Sequence, residues 1–544
     1  MTADWTRRDF VRTLLASLPF VGLDWSAFPR RAAAAGASDT WDAIVIGSGL
    51  GGLSCAAAFA RQGFRPLVLE QHDRPGGYAT TFKRPGGFEF DVSLHSTAVP
   101  ARDGAYNQIP GFPEITEVEF VPHPSLYRAL FPEHDLTVPN RDPDKYLALL
   151  KERFPDEAAG IDGLFAAMRG LVDDVGKLSA ARGQIDYSRF PLDFPHLAAA
   201  YTRTWGQMQD AHLKDPKLKA IVSTLWGYYG LPPSQLASIY FALPTIGYLR
   251  DGGFYPRGKS QAISNALVNF IEKRGGKVLL KTRVERILVK DGAAYGVGTA
   301  DGGQHLGTAV ISNANAYDTF HRLLADDGTL KDYHARMDTM KVSLSSFQVF
   351  LGLKQDLVKQ VGLKDSEFAC ENRYDPEAAF QACLAGSVED GGFGLTLYDN
   401  LYPGYSPPGK NTLTIITLQG YDYWKKHEAD YLKGKKEAYR AEKERMADAL
   451  IRQVEKRLMP GLRKAIEVRE VATPLTNLRY TSNYRGAIYG WDQTLDNAMP
   501  NRMAQTTPVK NLYLASAWTQ PGGGYGGVLW SGIQCFGEVM RRRG

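Results

Sequence analysis

The sequence predicts an α/β fold: a discontinuous, parallel-sheet unit of Rossmann type, with an α+β half inserted into it. Three observations carry that prediction. Residues 41–52 read WDAIVIGSGLGG, a β-branched run followed at once by closely spaced glycines. Residues 511–532, NLYLASAWTQPGGGYGGVLWSG, repeat a strand, a glycine turn and a helix start near the other end of the chain. The 544 residues exceed what one core accommodates, so much of what lies between belongs to a second unit.

The first unit opens with Ile44, Val45 and Ile46, a run suited to a buried parallel strand. Gly47, Gly49 and Gly52 then match GxGxxG, with Gly51 counted in the same cofactor-binding set. The first glycine allows the tight turn, the second a close approach to a pyrophosphate, and the third close helix–strand packing. LSCAAAFARQG reads as a helix ending at Gly63. Its free N–H groups and positive dipole end face the phosphates. RPLVLE is the second strand, and Glu70 closes it where a carboxylate accepts from a ribose diol. A carboxylate there repels a 2′-phosphate, which disfavours NADP.

FAD rather than NAD is indicated by EQHDRPGGYATTF, in which Arg74, Gly76 and Gly77 resemble the R-x-G-G element of the amine oxidase and phytoene desaturase superfamily. Residues 275–316 alternate like antiparallel strands with glycine turns. They resemble the segment whose valine, here Val284, meets the adenine through its backbone. In the last segment Gly522, Gly523, Gly524, Gly526 and Gly527 leave amides uncovered, and a helix from about Val528 aims its dipole at an electron-rich flavin edge. The implied FAD-binding domain comprises residues 38–104, 251–334 and 476–544, and the substrate-binding domain residues 105–250 and 335–475.

These landmarks in this order, with GGFEFDVSLHS, WGYYGLPPSQ, GGFYPRGKSQAISNAL, VISNANA and GAIYGW, resemble the phytoene desaturase, carotenoid isomerase and retinol saturase family of FAD enzymes, bacterial retinol-saturase-like members above all. The resemblance implies desaturation, saturation or isomerisation of carbon–carbon bonds in an apolar polyene or isoprenoid-like substrate. Ser93 and Lys259 depart from glycines usual in the family, in two loops that would lie near the isoalloxazine. Apart from the glycines at 522–527, already counted in the flavin site, no second strand–GxGxxG–helix unit is present to feed electrons from a nicotinamide. Quinone or oxygen is therefore the expected electron acceptor, unless an isomerisation needs none. Two alternatives stay open. One is a flavin amine oxidase, against which Tyr78 stands where those enzymes commonly carry arginine. The other is a non-catalytic lipid carrier of the same fold.

A desaturase needs one base within reach of the carbon beside the hydride donor. His95 is the candidate, with Glu89 and Asp91 weaker ones, and Lys259 is a second candidate as a cation or proton donor beside the flavin. Trp226, Tyr228, Tyr229, Tyr240, Phe241, Tyr248, Phe254 and Tyr255 are core residues taken singly, and as a group a lining for a polyene slot. Residues 435–458 read as an amphipathic helix with Met446, Leu450, Ile451, Val454 and Leu458 on one face; peripheral membrane contact is its lesser reading.

The chain begins with a leader. Arg7-Arg8, Phe10 and Val11 precede a short apolar run and RRAAAAGA, ending near Ala37. The order resembles a twin-arginine signal over residues 1–37, read by the twin-arginine translocase, and implies a periplasmic protein exported with its FAD already bound. The run is too short to span a bilayer. The net charge of +5 shows no basic stripe for nucleic acid. Four cysteines without CxxC spacing support no metal site, although Cys370 and Cys383 are free to pair in an oxidising compartment.

Overall fold

Five short strands form the sheet under the first unit: β1 (Ala43–Ile46), β2 (Pro66–Leu69), β3 (Lys277–Leu279), β4 (Val310–Ser312) and β5 (Leu512–Leu514). In this computed structural model, which describes residues 25–28, 30, 40–98, 109–181, 185–186, 188–325, 328–498 and 501–543, they lie in the order β3-β2-β1-β4-β5. All pairings are parallel. β1 and β2 are buried at every position, so both faces are covered and their apolar runs need no alternation. The order reverses beside β1, which opens a crevice at the C-terminal strand ends.

Helix α1 (Leu50–Arg61) is buried from Leu50 to Ala60. Its small residues let α2 (Lys259–Glu272) and α3 (Tyr525–Arg543) pack close, with all three in one core. A Cβ on Gly532 of α3 would stand 2.2 Å from the Gly51 carbonyl oxygen, so α1 and α3 touch backbone to backbone there. α3 starts at Tyr525, three residues before the sequence estimate, because Gly524 at φ +82° turns the chain directly into it.

The segment 275–316 is not wholly antiparallel. Val284–Lys290, Ala293–Thr299 and Gln304–Gly307 form an antiparallel meander, but Lys277–Leu279 and Val310–Ser312 are the parallel members β3 and β4. Their alternation was ambiguous because strands of three residues are too short to display a burial period.

A seven-stranded mixed sheet takes its strands from two separated stretches. From one edge the order is Asp135–Val138, Tyr127–Leu130, Glu367–Cys370, Phe393–Thr396, Asn411–Gln419, Ser345–Leu353 and Ile466–Ala472. Helices including Ala158–Ala180 and Ser238–Asp251 form a separate core beside it. Residues 109–120 pack with α1–α3, so that core runs past residue 105. The charged helix is Glu437–Arg457; Met446, Leu450, Ile451 and Val454 are buried against the seven-stranded sheet, and Leu458 is partly buried. That packing corrects the membrane reading, since the apolar face is already covered by the protein itself. Among the described residues no helix is long and apolar enough to cross a membrane.

Cys370 and Cys383 carry free, buried thiols, one on the strand Glu367–Cys370 and one on the helix Pro376–Ala385. Of residues 1–37, which the sequence reading takes as a leader, only 25–28 and 30 are described, so Arg7, Arg8 and Ala37 lie outside the described residues. Trp25 and Phe28 pack on Phe536 of α3.

Candidate active site

One cavity of about 1780 Å³ runs from the strand ends of the parallel sheet into the helical half. Ligand pockets typically occupy about 300–1,000 Å³, so there is room for a dinucleotide and a substrate together. At the sheet end Gly47, with φ +92°, makes the turn out of β1, and Gly49 and Gly51 line the cavity. Gly52 does not; its missing side chain lets α1 sit on the turn, since a Cβ there would stand 2.4 Å from the Gly47 oxygen. The N-terminus of α1 has no side-chain cap, so its first amides point at the crevice unpaired within the helix.

Glu70 fits a ribose contact by count. Its Oε2 accepts from the Ser48 amide at 2.8 Å and hydroxyl at 2.7 Å, and its Oε1 from the His72 amide at 2.8 Å. A carboxylate has about four acceptor sites, which leaves one for a hydroxyl. Arg74, Gly76, Gly77 and Val284 line the same end. Arg74 Nη1 donates to the Thr81 carbonyl at 2.7 Å and its Nε to Asp73 at 3.1 Å, so the guanidinium is held at the cavity wall. At the other side of the crevice Gly523, Gly524, Gly527 and Val528 line the cavity at the start of α3.

The sequence held no sign of what fixes that glycine loop. Arg502 is fully buried, and its guanidinium donates to the carbonyls of Tyr489, Trp491, Asp492, Ala517 and Thr519. Among the described residues no carboxylate lies within ion-pair distance of it, Asp492 acting only from further off; one cation collects oxygens from the loops on both sides of the turn. Tyr240 adds a hydroxyl bond to the Gly523 carbonyl at 3.1 Å. An uncapped helix start, three bare glycine turns and a ribose acceptor fit FAD, which would be held by Gly47–Gly51, Glu70, Gly76–Gly77, Val284 and Gly523–Val528. When bound, FAD supplies the hydride acceptor or donor.

The catalytic candidates separate. His95 lines the cavity, and burial pushes its imidazole down to about 4, so it is neutral at pH 7. Ser93 lines it too, with its hydroxyl on the Tyr78 carbonyl at 2.9 Å. Lys259 does not. Its amine donates to the Tyr405 carbonyl at 3.1 Å, and sits 4.1 Å from the centre of the Tyr405 ring. The reason is the turn: Lys259 holds φ +64° because the next amide, Ser260, is tied to Asp91 Oδ2 at 2.8 Å. Asp91 accepts from Ser260 and from the Tyr255 hydroxyl at 2.6 Å, so it anchors α2. Glu89 does not line the cavity; it accepts from the Thr81 hydroxyl across the strand pair.

The aromatic group divides likewise. Tyr228, Tyr229, Tyr240 and Tyr248 line the cavity, while Trp226, Phe241, Phe254 and Tyr255 are core. Phe241, for instance, stacks on Trp205 at 4.2 Å.

A parallel sheet in this order, with a dinucleotide crevice opening into an aromatic cavity, defines a flavin-dependent oxidoreductase. The chain belongs to the flavin containing amine oxidoreductase family, whose model matches residues 50–539. It is an FAD-dependent enzyme. It is 27% identical to the all-trans-retinol 13,14-reductase of Danio rerio over 92% of this chain and 86% of that one. It is 28% identical to prolycopene isomerase 2 of an Oncidium hybrid cultivar, over 92% and 84% respectively. Among solved structures, cyclohexylamine oxidase from Brevibacterium oxydans shares the fold, with a TM-score of 0.58, 16% identity and coverage of 92% and 98%.

Proposed function

We propose that this FAD enzyme desaturates, saturates or isomerises carbon–carbon bonds of an apolar polyene or isoprenoid-like substrate. The observation that carries this reading is the continuity of one cavity, from the flavin site to a wall of tyrosine rings and aliphatic side chains such as Val172, Val175, Ile239 and Leu243. Rings and branched aliphatics recognise a long flat hydrocarbon by contact area and exclude water from the flavin. The relatives named for retinol and prolycopene act on conjugated chains, which supports the same substrate class here. The intact glycine turns argue against a carrier that has no use for a flavin.

The chain's own part in the chemistry is to hold the substrate flat and to handle one proton. His95, neutral and at the cavity wall, is the group placed to do so. The twin-arginine leader supports export of the folded holoenzyme to the periplasm by the translocase, with a quinone or oxygen as electron acceptor.

Anaerobic mixing tests the reading. A conjugated polyene should bleach the oxidised flavin absorbance, or restore it in the reduced enzyme, while amines leave it unchanged. Bleaching by an amine and by no polyene would replace the reading with amine oxidation.

A further inference from the structure

Behind His95, on the side away from the cavity, stands Glu367, at the start of the strand Glu367–Cys370 and only 4% exposed. Its Oε2 lies 4.0 Å from His95 Nδ1 and 3.5 Å from the Tyr228 hydroxyl, and its Oε1 lies 2.7 Å from the Tyr398 hydroxyl. Among the described residues no lysine or arginine pairs with it. An unpaired ionised carboxylate at that depth is costly, so the group is neutral or borrows charge from His95.

Counting donors shows how the site serves both states. The Tyr398 hydroxyl lies within reach of three oxygens: Glu367 Oε1, the His95 carbonyl at 2.9 Å and the Leu94 carbonyl at 3.0 Å. It owns one proton, and the carbonyls can only accept. With Glu367 protonated, the carboxyl has a proton of its own, and Tyr398 is released to serve a carbonyl. With Glu367 ionised, Tyr398 swings to the carboxylate. The tyrosine is thus a rotor with one position for each state of the acid. His95 shows the complementary arrangement: Nδ1 faces Glu367, the ring stacks on Tyr228 at 6.1 Å, and Nε2 is buried with no hydrogen-bond partner.

We propose that Glu367 is the proton reserve of the active site, passing its proton to His95 Nδ1 as His95 Nε2 gives one to a substrate carbon, and recovering it by the reverse path. The inference rests on the polyene reading for the identity of that carbon. In the saturating direction one carbon of the double bond takes the proton from Nε2 and its neighbour takes a hydride from reduced FAD. The π bond is lost, two C–H bonds form, and Glu367 is left as a carboxylate held by the Tyr398 and Tyr228 hydroxyls. Desaturation reverses every step: the hydride goes to oxidised FAD and the proton returns to Nε2, then through Nδ1 to Glu367. His95 is neutral before and after, so no lone charge is created on the cavity wall. The transfer requires the 4.0 Å separation to close by about 1 Å in the substrate complex, as catalytic hydrogen bonds commonly do.

The surroundings favour this assignment. Burial pushes Glu367 up to about 8. The groups facing the pair are Tyr228, Tyr248, Tyr398 and His123, with Tyr255 and Tyr405 beyond Tyr398. Burial holds every one of these tyrosines above the ordinary phenol range and pushes His123 down to about 3. Asp91 is committed to Tyr255 and Ser260. Burial raises Asp91 as well, but of the two carboxyls it is Glu367 that faces His95 Nδ1.

Infrared difference spectroscopy of the resting holoenzyme tests this without substrate. Wild type at pH 7 should show the carbonyl stretch of a protonated carboxyl that is missing in Glu367→Gln and shifted in Tyr398→Phe. The second variant assigns the band should the first fail to retain flavin. With a reactive polyene, Glu367→Gln should slow the flavin absorbance change about 10²–10⁴-fold and lose a limb of the pH–rate profile near 8. Absence of the band at pH 7, or a Glu367→Gln rate within threefold of wild type, would overturn the reserve. A band present in a wild type that no polyene reacts with would instead overturn the polyene reading and leave the proton on Glu367.

Discussion

Gly52→Ala puts the geometry of the dinucleotide site to a quantitative test. An ideal Cβ on Gly52 falls 2.4 Å from the Gly47 carbonyl oxygen and 3.0 Å from both Asn313 Cβ and Val45 Cγ1. The first neighbour is backbone of the phosphate turn and the second is a Cβ fixed by its own backbone, so neither yields by rotating. Ordinary contact begins at 3.4 Å, and α1 must back away from the sheet by about 1 Å. Overpacking of that kind costs about 1–3 kcal/mol of stability. The same displacement withdraws the amides of Leu50 and Gly51 from the pyrophosphate, and about 10–100-fold weaker FAD binding follows, at about 1.4 kcal/mol per decade. The assay is titration of apoprotein with FAD, read by flavin fluorescence quenching, beside a thermal melt of the apoprotein. Gly176→Ala is the control: it sits inside the helix Ala158–Ala180 with nothing within 4 Å of its added methyl, and should gain about 0.5–1 kcal/mol. A Gly52→Ala protein that binds FAD as wild type does and melts no lower would refute the close helix–turn contact.

Four further outcomes are expected. Arg502→Met removes the donor shared by five carbonyls and should cost about 3–5 kcal/mol in a denaturant titration, with FAD released more readily as the glycine loop loosens. Lys259→Met should leave FAD content and turnover within twofold of wild type, because the amine points to Tyr405 and away from the cavity. Glu367 is raised from 4.5 to about 8, so its contribution to stability is complete below 4.5 and is lost as the pH rises through 8. Stability of wild type relative to Glu367→Gln should therefore fall across that window, by up to about 1.4 kcal/mol per pH unit in paired melts. Replacing Arg7 and Arg8 together by lysine should leave a flavin-loaded protein in the cytoplasmic fraction, as judged by cell fractionation.

How much of this the sequence disclosed depends on distance along the chain. Gly47–Gly52 and Glu70 are legible because a strand, a turn, a helix and a second strand within one short unit declare both geometry and ligand. Gly522–Gly527 are legible as a second glycine turn, but the clamp that holds it, Arg502, reads in sequence as any arginine. Its role exists only because two loops deliver five carbonyls to one point. Glu367 was hidden for the same reason: its partners His95, Tyr228 and Tyr398 come from three separated segments, and nothing local marks it as buried. Lys259 misled because a family position gives a backbone location and no side-chain direction, and here a left-handed turn sends the amine to the far side. The aromatic group divided between wall and core because ring content says nothing about which face of a helix meets the cavity.

In the proposed reaction bound FAD exchanges hydrogen with carbon atoms of a polyene in the shared cavity. A single anaerobic turnover, quenched and analysed by mass spectrometry beside the flavin spectrum, tests that exchange. The expected product is a polyene changed by two hydrogens mole for mole with flavin, or an isomer of unchanged mass when the flavin returns to its starting state. An unaltered polyene beside an amine converted to its imine or aldehyde would contradict it.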